Sequence, residues 1–416
     1  MNRLPLQGVR VVDLSWIIAG PTATRFLAMM GAQVIKIGSA RRPDPSTRGA
    51  PFQAYNQSKL YASLNISKPD GLGLALELIS TSDVVIENFA AGVVERLGLG
   101  YEVLRKARPD IIMVSSSGTG HTGPDKDYVA YGSLLQYYTG WNSISGYPGG
   151  EPIKGGLWAD PWVGMELAMV TVAALNHRAV TGDGQYIDFS MAEALTGGIS
   201  EALLDYQMNG RVKEPAGNGD DWHTPHNVYR CKGTDRWVAI AVTTDDEWRA
   251  LCEVIDRPDL ASDGRLSTAD GRKAQSQAID EAITAWTLQH EDYEAMQVLQ
   301  RAGVVAGPYL EPPRVFHDPQ LREGGYFTPH RTSDGRMRDL PGLGWRFADT
   351  RTEAPDASGH SINRCEDNSS KGSGADVDAY STAAPVLGQH NEYVYEELLG
   401  LTQEDVGRYI EKQIIY

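Results

Sequence analysis

Residues 9–14 read VRVVDL, and residues 15–37 read SWIIAGPTATRFLAMMGAQVIKI. The first stretch is a short apolar run of strand type, Val9–Leu14. The Gly20-Pro21 turn leads into a helical pattern over Thr22–Met30, and Gln33–Ile37 is a second strand. This β-loop-α-β opening suits a parallel sheet, whose neighbouring strands need a crossover connection, usually a helix. The pattern then repeats. A helix is expected over Gly71–Thr81, a strand over Val84–Ile86, short helices over Val93–Leu97 and Val103–Lys106, and a strand over Ile111–Ser115. Further on come a buried helix over Met165–His177, a strand over Gln185–Phe189 and a helix over Met191–Asn209. The alternation predicts an α/β fold of Rossmann-like order. No GxGxxG follows the first strand, where SWIIAGP stands instead, so dinucleotide binding is disfavoured.

The loop over residues 216–226, rich in Gly, Asn, Asp and His, opens a different unit. Val228–Cys231 and Trp237–Val242 flank the turn Lys232–Asp235 and read as antiparallel strands. Helical segments fill residues 247–302, and Gly303–Tyr309 is an extended return. Residues 353–384 are polar, Gly/Ser-rich and without periodicity, which reads as a flexible stretch. Asn391–Gly400 and Thr402–Glu411 are helical. These shifts place a large α/β domain over 1–210, a small α+β domain over 211–325, and a return to the large domain over 326–416.

The 416 residues are 41% hydrophobic and 22% charged, with a formal net charge of −16. That composition supports a sizeable core. No apolar run approaches the ~18 residues of a membrane span. The first residues lack the apolar core of a signal peptide. The cysteines Cys231, Cys252 and Cys365 are scattered and form no CxxC pair, pointing to the reducing cytoplasm rather than to a disulfide framework or a zinc site. No basic run extends beyond Arg41-Arg42, which argues against nucleic acid as a partner. His223 and His226 flank Pro225, which breaks the helix that would present them as metal ligands, so no metal is expected.

Residues 155–164, GGLWADPWVG, set Asp160 among tryptophans, a proline and glycines. Asp followed by Pro and an apolar run reads as a helix N-cap. Glycines that let backbone approach a ligand closely read equally as the setting of a nucleophile. From these residues alone both readings stand.

Seven stretches, taken together, resemble the family III CoA-transferases. They are LQGVRVVDLSWIIAGP, GAQVIKI, ENFAAGVVERLGLGYEVL, SSSGTGHTGP, GGLWADPWVG, TGDGQYIDFSMAEA and PVLGQHNEYVYEELLGL. That family includes formyl-CoA and carnitine CoA-transferases and the related α-methylacyl-CoA racemases. The resemblance implies an interlocked dimer, CoA as the carried group, an acyl-CoA donor and a small carboxylic acid acceptor. It puts the family's catalytic aspartate on Asp160. It implies contacts to CoA from Ile17, Ala19, Lys36, Asn88, Phe89, Arg96, Gly118 and Tyr131. Trp16, Ile18, Trp158 and His223 would face the acyl and acceptor groups. The glycine-rich stretches Gly118–Gly123 and Gly217–Gly219 are candidate sources of oxyanion-binding N–H groups.

The departures matter too. The racemases carry His-Asp where Tyr131-Gly132 stand, and tyrosine is a poor proton-transfer partner near neutral pH. Many transferases carry an acidic residue at the place of Gly132. Leu60, Ser67 and Val129 replace basic residues of the family, leaving CoA phosphates to Arg41, Arg42, Arg48, Lys59 or Lys68. The rival readings are an acyl-CoA racemase and a structural subunit of a hetero-oligomeric transferase.

Overall fold

The computed structural model describes residues 4–153, 155–345 and 382–416. The side chain of Arg48 and residues 346–381, which hold nearly all of the 353–384 stretch, lie outside them. The chain divides into two compact units. The first comprises Met1–Trp141, Lys154–Leu204 and Pro319–Tyr416; the second comprises Asn142–Ile153 and Asp205–Asp318.

In the first unit, β1 (Arg10–Asp13), β2 (Gln33–Gly38), β3 (Leu60–Ser63), β4 (Val84–Glu87), β5 (Ile112–Ser117) and β6 (Tyr186–Ser190) form one sheet. Their order is β3-β2-β1-β4-β5-β6, and every pairing is parallel. Val11 lies between Val34 and Val84, and Val12 between Ile35 and Val85. Side chains alternate between the two faces of a sheet. Val11, Val34, Val84 and Ile86 accordingly pack with Ala23, Leu27, Val163 and Leu167. Val12, Ile35, Val85 and Met113 pack with Leu74, Leu78, Leu104 and Tyr395. Burial on both faces explains why the strands read as continuous apolar runs.

The expected helix over 191–209 is two helices, Met191–Gly197 and Ser200–Asn209, parted after Gly197. Elements that escaped the sequence pattern include β3, the helices Ala50–Tyr55 and Gly132–Tyr138, and a hairpin of β10 (Phe327–Arg331) with β11 (Met337–Pro341). The C-terminal segment includes a π-helix over Tyr393–Leu398.

In the second unit, β7 (His226–Arg230), β8 (Trp237–Ala241) and β9 (Val305–Pro308) form an antiparallel sheet. Helices including Asp245–Val254, Ser276–Thr287 and Asp292–Arg301 surround a core of Val238, Ile240, Trp248, Leu251 and Leu299. Asn142–Ile153 joins this unit, although the sequence pattern placed it in the large domain. The Gly217 N–H donates to the Gly146 carbonyl, and Asn218 bonds the Tyr147 hydroxyl. Cys231 and Cys252 are buried free thiols, and burial pushes both up to about 11. Among the described residues no helix is long and apolar enough to cross a membrane.

Candidate active site

The strand order reverses between β1 and β4, so Asp13 and Glu87 end their strands at the crevice where open α/β sheets take ligands. The loop from Leu14 to Ile18 has no glycine, and side chains from elsewhere fix it. Ser15 donates from its N–H (2.9 Å) and hydroxyl (2.5 Å) to Asp13 Oδ1, while its carbonyl accepts from Lys36 Nζ at 2.5 Å. The Asn88 amide clamps Trp16 on both sides, accepting its N–H at 2.7 Å and donating to its carbonyl at 2.9 Å. Ile17 donates to Asp44 Oδ1 at 3.2 Å and has φ of +68°. A β-branched residue in the left-handed region is strained, and such strain persists only where the surroundings over-determine it. Three independent anchors do so here.

The anchors rest on buried charges. Asp13 and Lys59 are fully buried and paired at 3.0 Å, and Lys59 also donates to the Pro21 carbonyl and Asn56 Oδ1. Burial opposes ionisation of Asp13, yet Lys59, Lys36 and bonds from Ser15 and Thr24 outweigh it and hold the carboxyl below the usual carboxylate range. Burial pulls Lys59 down to about 7 against the attraction of Asp13. Its three oxygen acceptors mark the charged form as the one this geometry suits. Lys36 is also buried, 3.5 Å from Asp44. Both lysines therefore face protein oxygens and hold the loop, a role that no local pattern around QVIKI or NQSKL discloses.

Asp160 lies in the first turn of the 23-residue helix Ala159–Thr181, whose N-cap is Trp158. The N-cap expectation is thus corrected by two positions. Pro161 fits inside the first turn because its missing N–H would have no helical partner there. The helix reaches this place through Gly164: a Cβ there would stand 2.5 Å from Thr22 Cβ and 2.7 Å from the Ala19 carbonyl. Gly132 is the second close approach, where a Cβ would stand 2.0 Å from Asp160 Oδ1. The Gly132 N–H bonds the Asp160 carboxylate. Burial pushes the Asp160 pKa up, and this N–H pulls against it. Any side chain at position 132 would overlap the carboxylate as it stands here.

Trp158 packs edge-on against Trp141 and Trp162, at centroid distances of 4.6 and 6.0 Å. Tyr131 is the N-cap of the helix Gly132–Tyr138 and is exposed rather than packed in a core. Phe89 meets Trp16 edge-on at 5.3 Å, and the Arg42 guanidinium lies over the Trp16 ring at 5.2 Å. This Arg42–Trp16–Phe89 stack is the basic, aromatic feature of the crevice. Arg96 is exposed and folds over Gly92. Arg41 bonds Gln413, and Lys68 bonds the Lys412 carbonyl. Ile18 and Ala19 are buried. Gly118 is buried beneath Ala130, and its carbonyl accepts from Ala192 N–H.

His223 belongs to the second unit, where its Nδ1 lies 2.8 Å from Asp220 Oδ1. The N–H groups of Gly217 and Gly219 donate to the carbonyls of Gly146 and Ala216. Among the described residues no group of three or more His, Cys, Asp or Glu is placed to hold a metal ion.

Comparison with known proteins accords with this architecture. The chain is 31% identical over 355 residues to a succinate–glutarate CoA-transferase of Agrobacterium fabrum, covering 82% of this chain and 88% of that one. It is 29% identical to the succinyl-CoA–L-malate CoA-transferase beta subunit of Chloroflexus aurantiacus, over 99% of this chain and 98% of that one. The crystal structure of a CaiB/BaiF family protein from Brucella suis matches with a TM-score of 0.79 and 28% identity, over 95% of this chain and all of that one. The family model for CoA-transferase family III matches residues 6–360. A parallel sheet with a side-chain-pinned first loop, and a match over most of the sequence, lead to one assignment: this chain belongs to CoA-transferase family III.

Proposed function

We propose that this enzyme moves CoA from an acyl-CoA donor to a free carboxylic acid through covalent intermediates on Asp160. The observation that carries the reading is the Asp160 carboxylate, partly desolvated, in the first turn of a long helix and bonded by the Gly132 N–H. Desolvation leaves a carboxylate poorly hydrated and more nucleophilic, while the helix N-terminus favours its charge. A carboxylate oxygen attacks the thioester carbonyl, the C–S bond breaks, and CoA leaves as thiolate. The thiolate then attacks the Asp160 carbonyl of the mixed anhydride, releasing the donor acid and leaving an aspartyl-CoA thioester. The acceptor carboxylate attacks that thioester, and thiolate return to the acceptor carbonyl regenerates Asp160. Charge is conserved at each exchange without an external proton donor. Tyr131, in place of the racemases' histidine, weighs against proton abstraction.

Arg42 and Arg96 are the exposed cations we assign to the CoA phosphates, with Asn88 and Phe89 forming the wall beside them. Lys36 acts at one remove, through Asp44 and Ile17. The names of the relatives favour a succinyl donor. The buried thiols suit the cytoplasm. Met165, Met169 and Val172 are exposed on one helix, and the helix Ser200–Asn209 buries none of its residues despite Leu203, Leu204 and Met208. Such apolar surface supports a dimer of this chain, or a pair with a related subunit. Sedimentation of the purified chain distinguishes the two.

The test of the chemistry is intact-protein mass spectrometry after incubation with succinyl-CoA and a hydroxylamine trap. A modification on Asp160 that is absent from Asp160→Ala is expected. CoA transfer persisting in Asp160→Ala would remove the covalent mechanism.

A further inference from the structure

A second set of ionisable groups stands behind the Asn88–Phe89 turn. Glu87, the last residue of β4, is fully buried. Its Oε2 accepts the Phe89 N–H at 2.8 Å, while its Oε1 lies 3.7 Å from His121 Nε2. Both of those facing atoms are buried and lack a hydrogen-bond partner, as does the buried Ser115 hydroxyl that also acts on Glu87. On its far side His121 is fixed by Asp188 of β6, whose Oδ1 accepts the His121 backbone N–H at 2.8 Å and lies 3.1 Å from Nδ1. A carboxylate at Nδ1 makes that nitrogen the N–H donor, so Nε2 presents its lone pair to Glu87. Two acceptors facing each other in a buried place repel, unless one proton lies between them.

We propose that Glu87 and His121, with Asp188 behind them, are positioning residues: a proton shared between Oε1 and Nε2 sets the Asn88–Phe89 turn, and through it the Trp16–Phe89 wall. The proposal rests on the reading of that wall as the acyl-CoA contact. With the proton in place, a shift of under an ångström closes the gap to about 2.8 Å as a charge-assisted bond. When the proton leaves to solvent, Glu87 keeps only its bond from the Phe89 N–H and withdraws from His121, taking the turn with it. Burial raises Glu87 to about 7, against the Phe89 N–H and the Ser115 hydroxyl and with a smaller push from Glu95. The other groups facing the pair are Tyr186 and Asp188 of β6.

The test is calorimetric titration with free CoA from about pH 6 to about pH 8.5 for the wild type, Glu87→Gln and His121→Gln. Either amide supplies a permanent N–H across the gap. The wild type is expected to lose roughly tenfold in affinity over this range, beyond any loss in the two variants. Titration of CoA's own phosphate is common to all three proteins, so the difference is the readout. Equal pH slopes in the wild type and Glu87→Gln overturn the proposal. If CoA binds at no pH, the functional reading of the wall fails. The shared proton is then judged by the NMR titration of the His121 ring in the free protein. A midpoint displaced in Glu87→Gln supports it, and an unmoved midpoint overturns it. Should Glu87→Gln not fold, His121→Gln and the Glu87 carboxyl resonance of the wild type carry the same comparison.

Discussion

Replacing Gly132 by alanine separates folding from chemistry. The new Cβ would stand 2.0 Å from Asp160 Oδ1, 3.0 Å from its Cγ and 3.2 Å from Ala159 Cβ. Ordinary contact begins at 3.4 Å, so the carboxylate oxygen must retreat by about 1.4 Å. That motion disturbs the bond between the carboxylate and the Gly132 N–H. A misplacement of ~1 Å at a reacting group costs on the order of 10²-fold, or about 2.7 kcal/mol of barrier. The backbone itself does not object. Gly132 is not in the left-handed region and opens a helix, where alanine is a better former than glycine. The thermal midpoint is therefore expected to stay within about 3 °C. The assay follows CoA transfer from an acyl-CoA donor to a carboxylic acid acceptor that the wild type accepts, by chromatography, alongside CoA affinity and melting. Wild-type kcat/KM in Gly132→Ala would refute the placement of Asp160 as the reacting carboxylate. A loss of activity that simply tracks a loss of fold would refute the separation of folding from chemistry.

Lys59→Met leaves Asp13 buried without its cation and is expected to cost about 3–5 kcal/mol of stability in urea unfolding; a loss below about 1 kcal/mol would mean that the pair is not closed in solution. Asp13 also gives the fold an acid limb. Its folded pKa is below the unfolded one, so its contribution is complete above about pH 4 and is lost as the pH falls through the folded value. The Asp13→Asn protein should lose less stability than the wild type between about pH 4 and about pH 2, as measured by urea midpoints.

Much of the sheet was legible because strands covered on both faces carry unbroken apolar runs. VRVVDL, QVIKI and VVIE announce themselves in this way. β3 does not, since Ser58-Lys59 interrupts the run just before Leu60-Tyr61-Ala62. A buried lysine looks polar in sequence, and only its partner Asp13, 46 positions earlier, makes it a core residue. The same blindness applies to Lys36, which as a basic residue near a strand end resembles a phosphate ligand. Asp160 stood out by its setting, although both its helix position and the reason for Gly132 needed a contact across 28 positions, which periodicity cannot carry. Arg42 over Trp16 and the anchoring of Ile17 by Asp44 likewise join residues whose separation reflects no local rule. Local pattern reports burial; it does not report who shares a buried charge.

The chain's order also has a consequence for its birth. Edge strand β3 is tied to residues made far later: His390 Nδ1 accepts the Tyr61 N–H, and Asn391 Oδ1 accepts the Ser63 N–H. Val394, Tyr395, Ile414 and Ile415 belong to the core on one face of the sheet. All of the second unit's residues precede them, since that unit ends at Asp318. A ribosome releasing this chain therefore delivers the full complement of the inserted unit while the large one still lacks the cover of β3. Domains tend to close as soon as their residues have emerged. The later-starting module can thus finish first, and the nascent chain carries an open sheet edge until the last segment arrives, which is the interval in which a chaperone has something to hold.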